Sequence, residues 1–107
     1  MAEGQGALTE AVYYILLSLL EPMHGYGIMQ NVKQLSSDRV SLGAGTLYGA
    51  INTLLEKGWI IPESQSRDER KKEYVITPEG RSAVETEIQR LSELLQNGRM
   101  LMGGSLK

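Results

Sequence analysis

Thr46, Tyr48 and Asn52 lie within two helical turns of one another in the run GAGTLYGAINTLLEKGWII at residues 43–61, which also holds Gly45 and Gly49. Hydroxyl, phenol and carboxamide groups at that spacing can bond phosphate oxygens and reach base edges, and asparagine pairs best with adenine. The two glycines would let a helix backbone approach a partner closely. A second set follows in SQSRDERKK at residues 64–72, a segment with no apolar residue, where Arg67, Arg70, Lys71 and Lys72 are concentrated. Cations there would lie against a phosphate backbone or in a minor groove, adding salt-sensitive affinity that is largely indifferent to sequence. Lys33 is a further candidate phosphate contact. These groups suit recognition of double-stranded DNA, not bond breaking.

Catalysis finds little footing. There is no Ser/His/Asp order and no glycine-rich phosphate loop after a strand, and the short run at residues 43–45 lacks the remaining spacing of a nucleotide loop. With no cysteine and only His24, a disulfide scaffold, a thiolate zinc site and a multi-histidine cage are all excluded. We therefore expect no enzyme activity, no cofactor and no metal.

The elements that must position these groups can be read in order. Residues 1–7 are small, polar and glycine-rich and read as a flexible tail. Thr9-Glu10 opens a first helix, with Val12, Ile15, Leu16, Leu19 and Leu20 on one stripe. Tyr13, Tyr14 and Leu17 widen that stripe, so the helix is either central to the core or shared with a second subunit. Pro22 is expected to end it, and Met23-His24-Gly25 to form a turn. A second helix follows over Gly25–Leu35, with Ile28, Val32 and Leu35 at i, i+4, i+7. His24 reads as a polar residue capping that helix; a pH-sensing imidazole is the other role open to it.

Leu47, Ile51, Leu54 and Leu55 give the third helix its apolar stripe, opposite Thr46, Tyr48, Gly49, Asn52 and Thr53. Tyr48 can serve either as a base contact or as packing against the second helix. Gly58 sits where a left-handed residue closes a helix. Strands are expected over 59–63 and 73–77, forming a two-stranded wing around the charged tip. Lys71 and Lys72 alternate along it, so only one should face DNA. Thr77-Pro78-Glu79 starts a last helix, whose apolar positions Val84, Ile88, Leu91, Leu95 and Met102 form one stripe, widened by Leu94. That stripe either folds back on its own core or pairs with a second chain, and we expect pairing. The fold class is thus mainly α with a small β-hairpin: a winged helix-turn-helix at 8–77, a C-terminal dimerisation helix at 78–102 and a flexible tail at 103–107. Dimerisation would use Tyr13, Leu17, Val84, Ile88, Leu91, Leu95 and Met102.

The chain's 107 residues suffice for one domain, with 41% hydrophobic and 22% charged residues. The formal net charge is −2, unusual for a DNA-binding domain, but the positive charge is local: residues 67–72 carry four bases against two acids. The apolar run at residues 11–20 is too short to span a bilayer, and no signal peptide precedes it. A cytoplasmic protein is expected.

Three pieces, HGYGI at 24–28, GTLYGAINTLLEKGWI at 45–60 and RKKEYVITPEG ending at Gly80, together resemble the PadR family of bacterial transcriptional regulators. The resemblance implies a homodimeric winged-helix repressor that binds a palindromic operator and is released by a small molecule or stress. It places Gly45 to Tyr48 at the start of the recognition helix, and Tyr26 with Gly27 in the second-helix signature, adding Tyr26 to the DNA-binding candidates. Many relatives have proline after the recognition-helix tyrosine, where this chain has Gly49. Some drug-sensing relatives carry a ligand-binding tryptophan on the last helix; here the only tryptophan is Trp59, so that sandwich cannot be carried over. If an effector site exists, the cavity where the first and last helices of two subunits meet is the natural place for it. The rival reading is a winged helix that serves as a protein-interaction module without a DNA site of its own, for which the negative net charge is the best argument.

Overall fold

The computed structural model describes residues 6–63, 67–68 and 71–103. The expectations placed on Arg70 and on the outermost residues of both tails lie outside them. Helix α1 (Glu10–Ser18) starts where the Thr9 hydroxyl accepts the Val12 N–H at 3.1 Å. It buries Ile15 and Leu16, with Leu19 following, at the centre of the core. The helix ends at Ser18, earlier than Pro22 suggested. The Leu19 N–H still bonds back to Ile15, but its carbonyl accepts the N–H of Ile76 at 2.8 Å. Committing that carbonyl to the sheet turns the chain out of the helix before the proline is reached.

The turn expected at residues 23–25 is partly a strand. β1 (Met23–His24) pairs antiparallel with β3, setting Met23 opposite Tyr74 and His24 opposite Glu73. The sheet therefore has three strands in the order β1-β3-β2 where the pattern indicated two. Helix α2 (Gly25–Leu35) follows at once, capped by His24, whose Nδ1 accepts the Gly27 N–H at 3.1 Å. It buries Ile28 and Val32, while Leu35 is left exposed. A buried polar link ties α2 to α1: Asn31 Nδ2 donates to the Ser18 hydroxyl at 2.9 Å, and Ser18 donates to the Tyr14 carbonyl at 2.7 Å.

After α2 the chain reverses through Ser37 and Asp38, both left-handed at φ 52° and 69°. Buried Ser36 holds this turn by accepting the Val40 N–H at 2.9 Å. Helix α3 (Ala44–Lys57) buries Leu47, Ile51 and Leu54 as its periodicity requires. It closes on Gly58 at φ 76°, with Gly58 N–H to Leu55 at 3.1 Å and Trp59 N–H to Leu54 at 3.0 Å. β2 (Ile60–Pro62) and β3 (Glu73–Ile76) pair with Ile60 opposite Ile76 and Pro62 opposite Tyr74. Ile60, Tyr74 and Ile76 point into the core, and Ile61 points out.

Helix α4 (Pro78–Leu101) is launched by Thr77, whose hydroxyl accepts the Gly80 N–H at 3.0 Å and donates to the Gly58 carbonyl at 2.7 Å. Gly80 faces the Trp59 carbonyl so closely that an added Cβ would stand 2.2 Å from that oxygen. Ala83 and Val84 are buried in the domain. Val84 therefore belongs to the core, a correction to its place on the expected pairing stripe. Beyond them Ile88, Leu91, Leu94, Leu95, Met100, Leu101 and Met102 all remain exposed in the single chain. Tyr13 and Leu17 are half-buried against the core.

Glu87 carries a charge where periodicity put the edge of the stripe, yet it is 2% exposed. Both guanidinium arms of Arg90 engage its carboxylate, Nε at 3.0 Å. The Arg90 bonds, helped by the Leu8 backbone N–H, outweigh burial and hold the Glu87 carboxyl below the ordinary 4.5.

Two outcomes test this packing. Gly80→Ala should lower stability by about 1–3 kcal/mol through overpacking against backbone, read as a drop in urea midpoint at unchanged slope. The Glu87 carboxylate stabilises the fold fully above its unfolded value, and that contribution fades as pH falls through the lower folded value. Denaturant unfolding from pH 6 down to about 2.5 should therefore show a steeper acid-side loss for the natural chain than for Glu87→Gln.

Candidate nucleic-acid interface

Gly45, Gly49, Asn52 and Glu56 follow one another at i, i+4, i+7 and i+11 on the outer face of α3, with Thr46 and Thr53 beside them, and all six are exposed. The face is small and mostly uncharged, and it stands away from the buried Leu47–Ile51–Leu54 stripe. At its head, Gly43 is the residue before the helix and no side chain caps it. The first-turn N–H groups, set among Gly43, Ala44 and Gly45, are thus presented outward, where a phosphate oxygen is a suitable acceptor.

The glycines divide by what surrounds them. A Cβ on Gly25 would strike the Tyr48 hydroxyl at 2.3 Å, and one on Gly27 would meet Met23 Cγ at 2.9 Å. By contrast, a Cβ on Gly43, Gly45 or Gly49 would meet nothing within 4 Å. The internal packing of the chain gives no reason for glycine at those three positions. Their absence of side chains clears space on the outer surface.

Tyr48 departs from this face. It is half-buried with its hydroxyl over Gly25, the first residue of α2, so it sets the angle between α2 and α3. This is the packing alternative read from the sequence. Tyr26, 63% exposed, stands at the opening of α2, and its hydroxyl accepts from Gln30 Nε2 at 2.9 Å. Lys33 is exposed in the last turn of the same helix. On the wing, Arg67 and Lys71 are exposed while Lys72 is half-buried. The structure thus gathers Gly45, Thr46, Gly49 and Asn52 on one face of α3 and sets Tyr26 and Lys33 on α2 and the cations on the hairpin.

Sequence reading missed the uncapped start of α3 as a feature in its own right. Its signal was present: no Ser, Thr, Asp or Asn occupies the position before Ala44. The outer face of α3 offers hydrogen-bond donors and a carboxamide. Among the described residues no group of three or more His, Cys, Asp or Glu could hold a metal ion, and no helix is long and apolar enough to cross a membrane.

Comparison with known proteins agrees with this geometry. The model of the transcriptional regulator PadR-like family matches residues 15–86. No protein of curated function matches the sequence. Among solved structures, a transcriptional regulator from Thermoplasma acidophilum is similar at 25% identity over 91% of this chain and 93% of its own, with a TM-score of 0.65. A PadR family transcriptional regulator from Eggerthella lenta is similar at 25% identity over 89% and 82%, TM-score 0.62. A Bordetella bronchiseptica protein whose DNA binding is regulated by 6-hydroxynicotinic acid shares the fold at 20% identity over 94% and 68%, TM-score 0.67.

Gly49 provides a separable test of the glycine argument. Inside a helix and facing open space, Gly49→Ala should raise stability by about 0.5–1 kcal/mol. A thermal or urea unfolding shift in the opposite direction would show that the position is held by packing after all.

Proposed function

Because the chain belongs to the PadR-like family of transcriptional regulators, we propose that it is a cytoplasmic, dimeric repressor that reads a palindromic operator with α3. The observation that carries this reading is the outer face of α3: uncapped at its start, cleared by glycines that no internal contact requires, and furnished with Thr46 and Asn52. Asn52 would read an adenine edge and Thr46 a phosphate or thymine methyl. Arg67, Arg70 and Lys71 would grip the backbone flanking the groove, with Lys33 and Tyr26 steadying the other side.

Dimerisation supplies the two-fold symmetry a palindrome needs. The exposed apolar stripe of α4 from Ile88 to Met102 is the surface available for it. An antiparallel pair of α4 helices centred near Leu95 would hold the two Val84 anchors about 33 Å apart at 1.5 Å per residue, close to the ~34 Å between half-sites one turn apart. Release by a small molecule fits the Bordetella bronchiseptica protein's behaviour and is part of the proposal.

Fluorescence anisotropy on the duplex upstream of the chain's own gene, against a scrambled duplex, tests the reading. We expect a preference of ~10³ or more that weakens with salt. Asn52→Ala should cost about 1–3 kcal/mol and relax preference at one base pair. Lys71→Ala should weaken both duplexes alike and reduce the salt slope by about one. No binding to either duplex at low salt would overturn the proposal and leave the protein-interaction module.

A further inference from the structure

His24 has two structural roles at once. Its backbone belongs to β1, opposite Glu73 of β3, and its side chain caps α2, with Nδ1 accepting the Gly27 N–H at 3.1 Å. An imidazole nitrogen accepts a hydrogen bond only while it carries no proton, so this cap exists in the neutral form alone. The helix head it secures has no slack. A Cβ on Gly25 would stand 2.3 Å from the Tyr48 hydroxyl and 3.3 Å from Leu47 Cδ2, both on α3. One on Gly27 would stand 2.9 Å from Met23 Cγ and 3.5 Å from His24 Cε1. The first turn of α2 is therefore pressed between β1 and the early part of α3. Around this head the titratable groups are Glu73 on β3 with Lys72 before it, Tyr26 on α2, Tyr48 on α3, and Glu21 just ahead of β1.

We propose that His24 is a positioning residue for α3, and that its protonation loosens the head of α2 and weakens DNA binding as pH falls. The inference rests on the DNA reading proposed above and adds a pH control to it. Protonation turns Nδ1 from acceptor to donor and sets it against the Gly27 N–H, donor facing donor. It also puts a cation at a helix N-terminus, where the macrodipole favours negative charge. The charged ring leaves the cap and turns toward the Glu73 carboxylate, its neighbour across the strand pair. The Gly27 N–H is then uncapped, and the displaced head of α2 moves α3 through the Tyr48 contact. Thr46 and Asn52 ride on α3, so the reading of bases suffers. The cap's contribution is present at alkaline pH and lost as pH falls through the range where an imidazole titrates.

His24 is the only histidine of the chain, which isolates its titration between about pH 8 and 5.5. The test measures fluorescence anisotropy of the full chain on the duplex upstream of its own gene, at fixed salt across that range. The natural chain should bind about five-fold more weakly at the acid end, the scale of a lost N-cap. His24→Asn keeps a capping acceptor that does not titrate, so its affinity should stay level. A parallel fall in the two proteins overturns the proposal. A second readout needs neither the variant nor DNA. In the isotope-labelled natural chain, the Gly27 amide and the Tyr48 ring resonances should move along the titration curve of the His24 imidazole. Resonances of Gly27 and Tyr48 that stay still while His24 titrates overturn the proposal, whatever the affinity does. No binding at either pH overturns the DNA reading, and the pH control of it falls too.

Discussion

The arrangement of the whole domain hangs on the few atoms around Thr77. Its hydroxyl donates to the Gly58 carbonyl at 2.7 Å and accepts the Gly80 N–H at 3.0 Å, while its own N–H donates to the Trp59 carbonyl at 2.9 Å. One buried residue thereby joins the end of α3, the start of β2, the end of β3 and the first turn of α4. A hydroxyl that both donates and accepts satisfies two backbone groups that would otherwise be buried unpaired, each at a cost of roughly 1–3 kcal/mol. Gly80 completes the joint by letting α4 come within contact of the Trp59 carbonyl. Helix α3, the hairpin and α4 are consequently tied together at this one buried joint.

Glycine has three different meanings among the described residues. At Gly25 and Gly80 a side chain would collide with neighbouring groups, and at Gly58 the backbone needs a left-handed turn. At Gly43, Gly45 and Gly49 neither condition applies. A mid-helix glycine facing open space costs roughly 0.5–1 kcal/mol relative to alanine. Gly49 carries that cost inside α3, while Gly43 and Gly45 stand at its uncapped start, and all three leave the outer surface there clear.

Much of this was legible beforehand, for identifiable reasons. Helices α2, α3 and α4 carry strong caps or stops and unbroken apolar spacing, so their extents and the core residues Ile28, Leu47, Ile51 and Leu54 could be read directly. Tyr48 could not be settled because a tyrosine over a glycine of the preceding helix looks, in one dimension, like a tyrosine facing solvent. β1 escaped because two residues show no alternation, and because its partner β3 is some fifty residues downstream. The early end of α1 has the same origin, since the Leu19 carbonyl is claimed by Ile76. Val84 was set on the pairing stripe and is buried in the domain instead. The stripe on α4 changes owner partway along, its first turns belonging to the domain and the later ones facing out, and periodicity cannot mark that boundary. A buried carboxylate with an arginine three residues on is the sequence trace of the change, visible only once burial is known.

The net charge of −2 has to be weighed by position. Screening at physiological ionic strength cuts the reach of an exposed charge to about 8 Å. A phosphate at α3 or the wing would therefore feel the charges beside it, and the sum over the chain matters little. The acids Glu10 and Glu21 flank α1, and Glu85, Glu87 and Glu93 ride on α4. Glu10 is already engaged by Arg39, and Glu87 by Arg90. Among the described residues, the exposed charges on α3 and the wing, taken with Lys33 of α2, are Lys33, Lys57, Arg67 and Lys71 against Glu56 and Glu63. So modest a positive excess cannot hold DNA by attraction alone. Binding on this reading depends on two domains acting at once and on hydrogen bonds made by uncharged groups, which favours discrimination between sequences over tight general adhesion. On the same reading, weak electrostatics in a single domain would leave the affinity to the proposed α4 pairing.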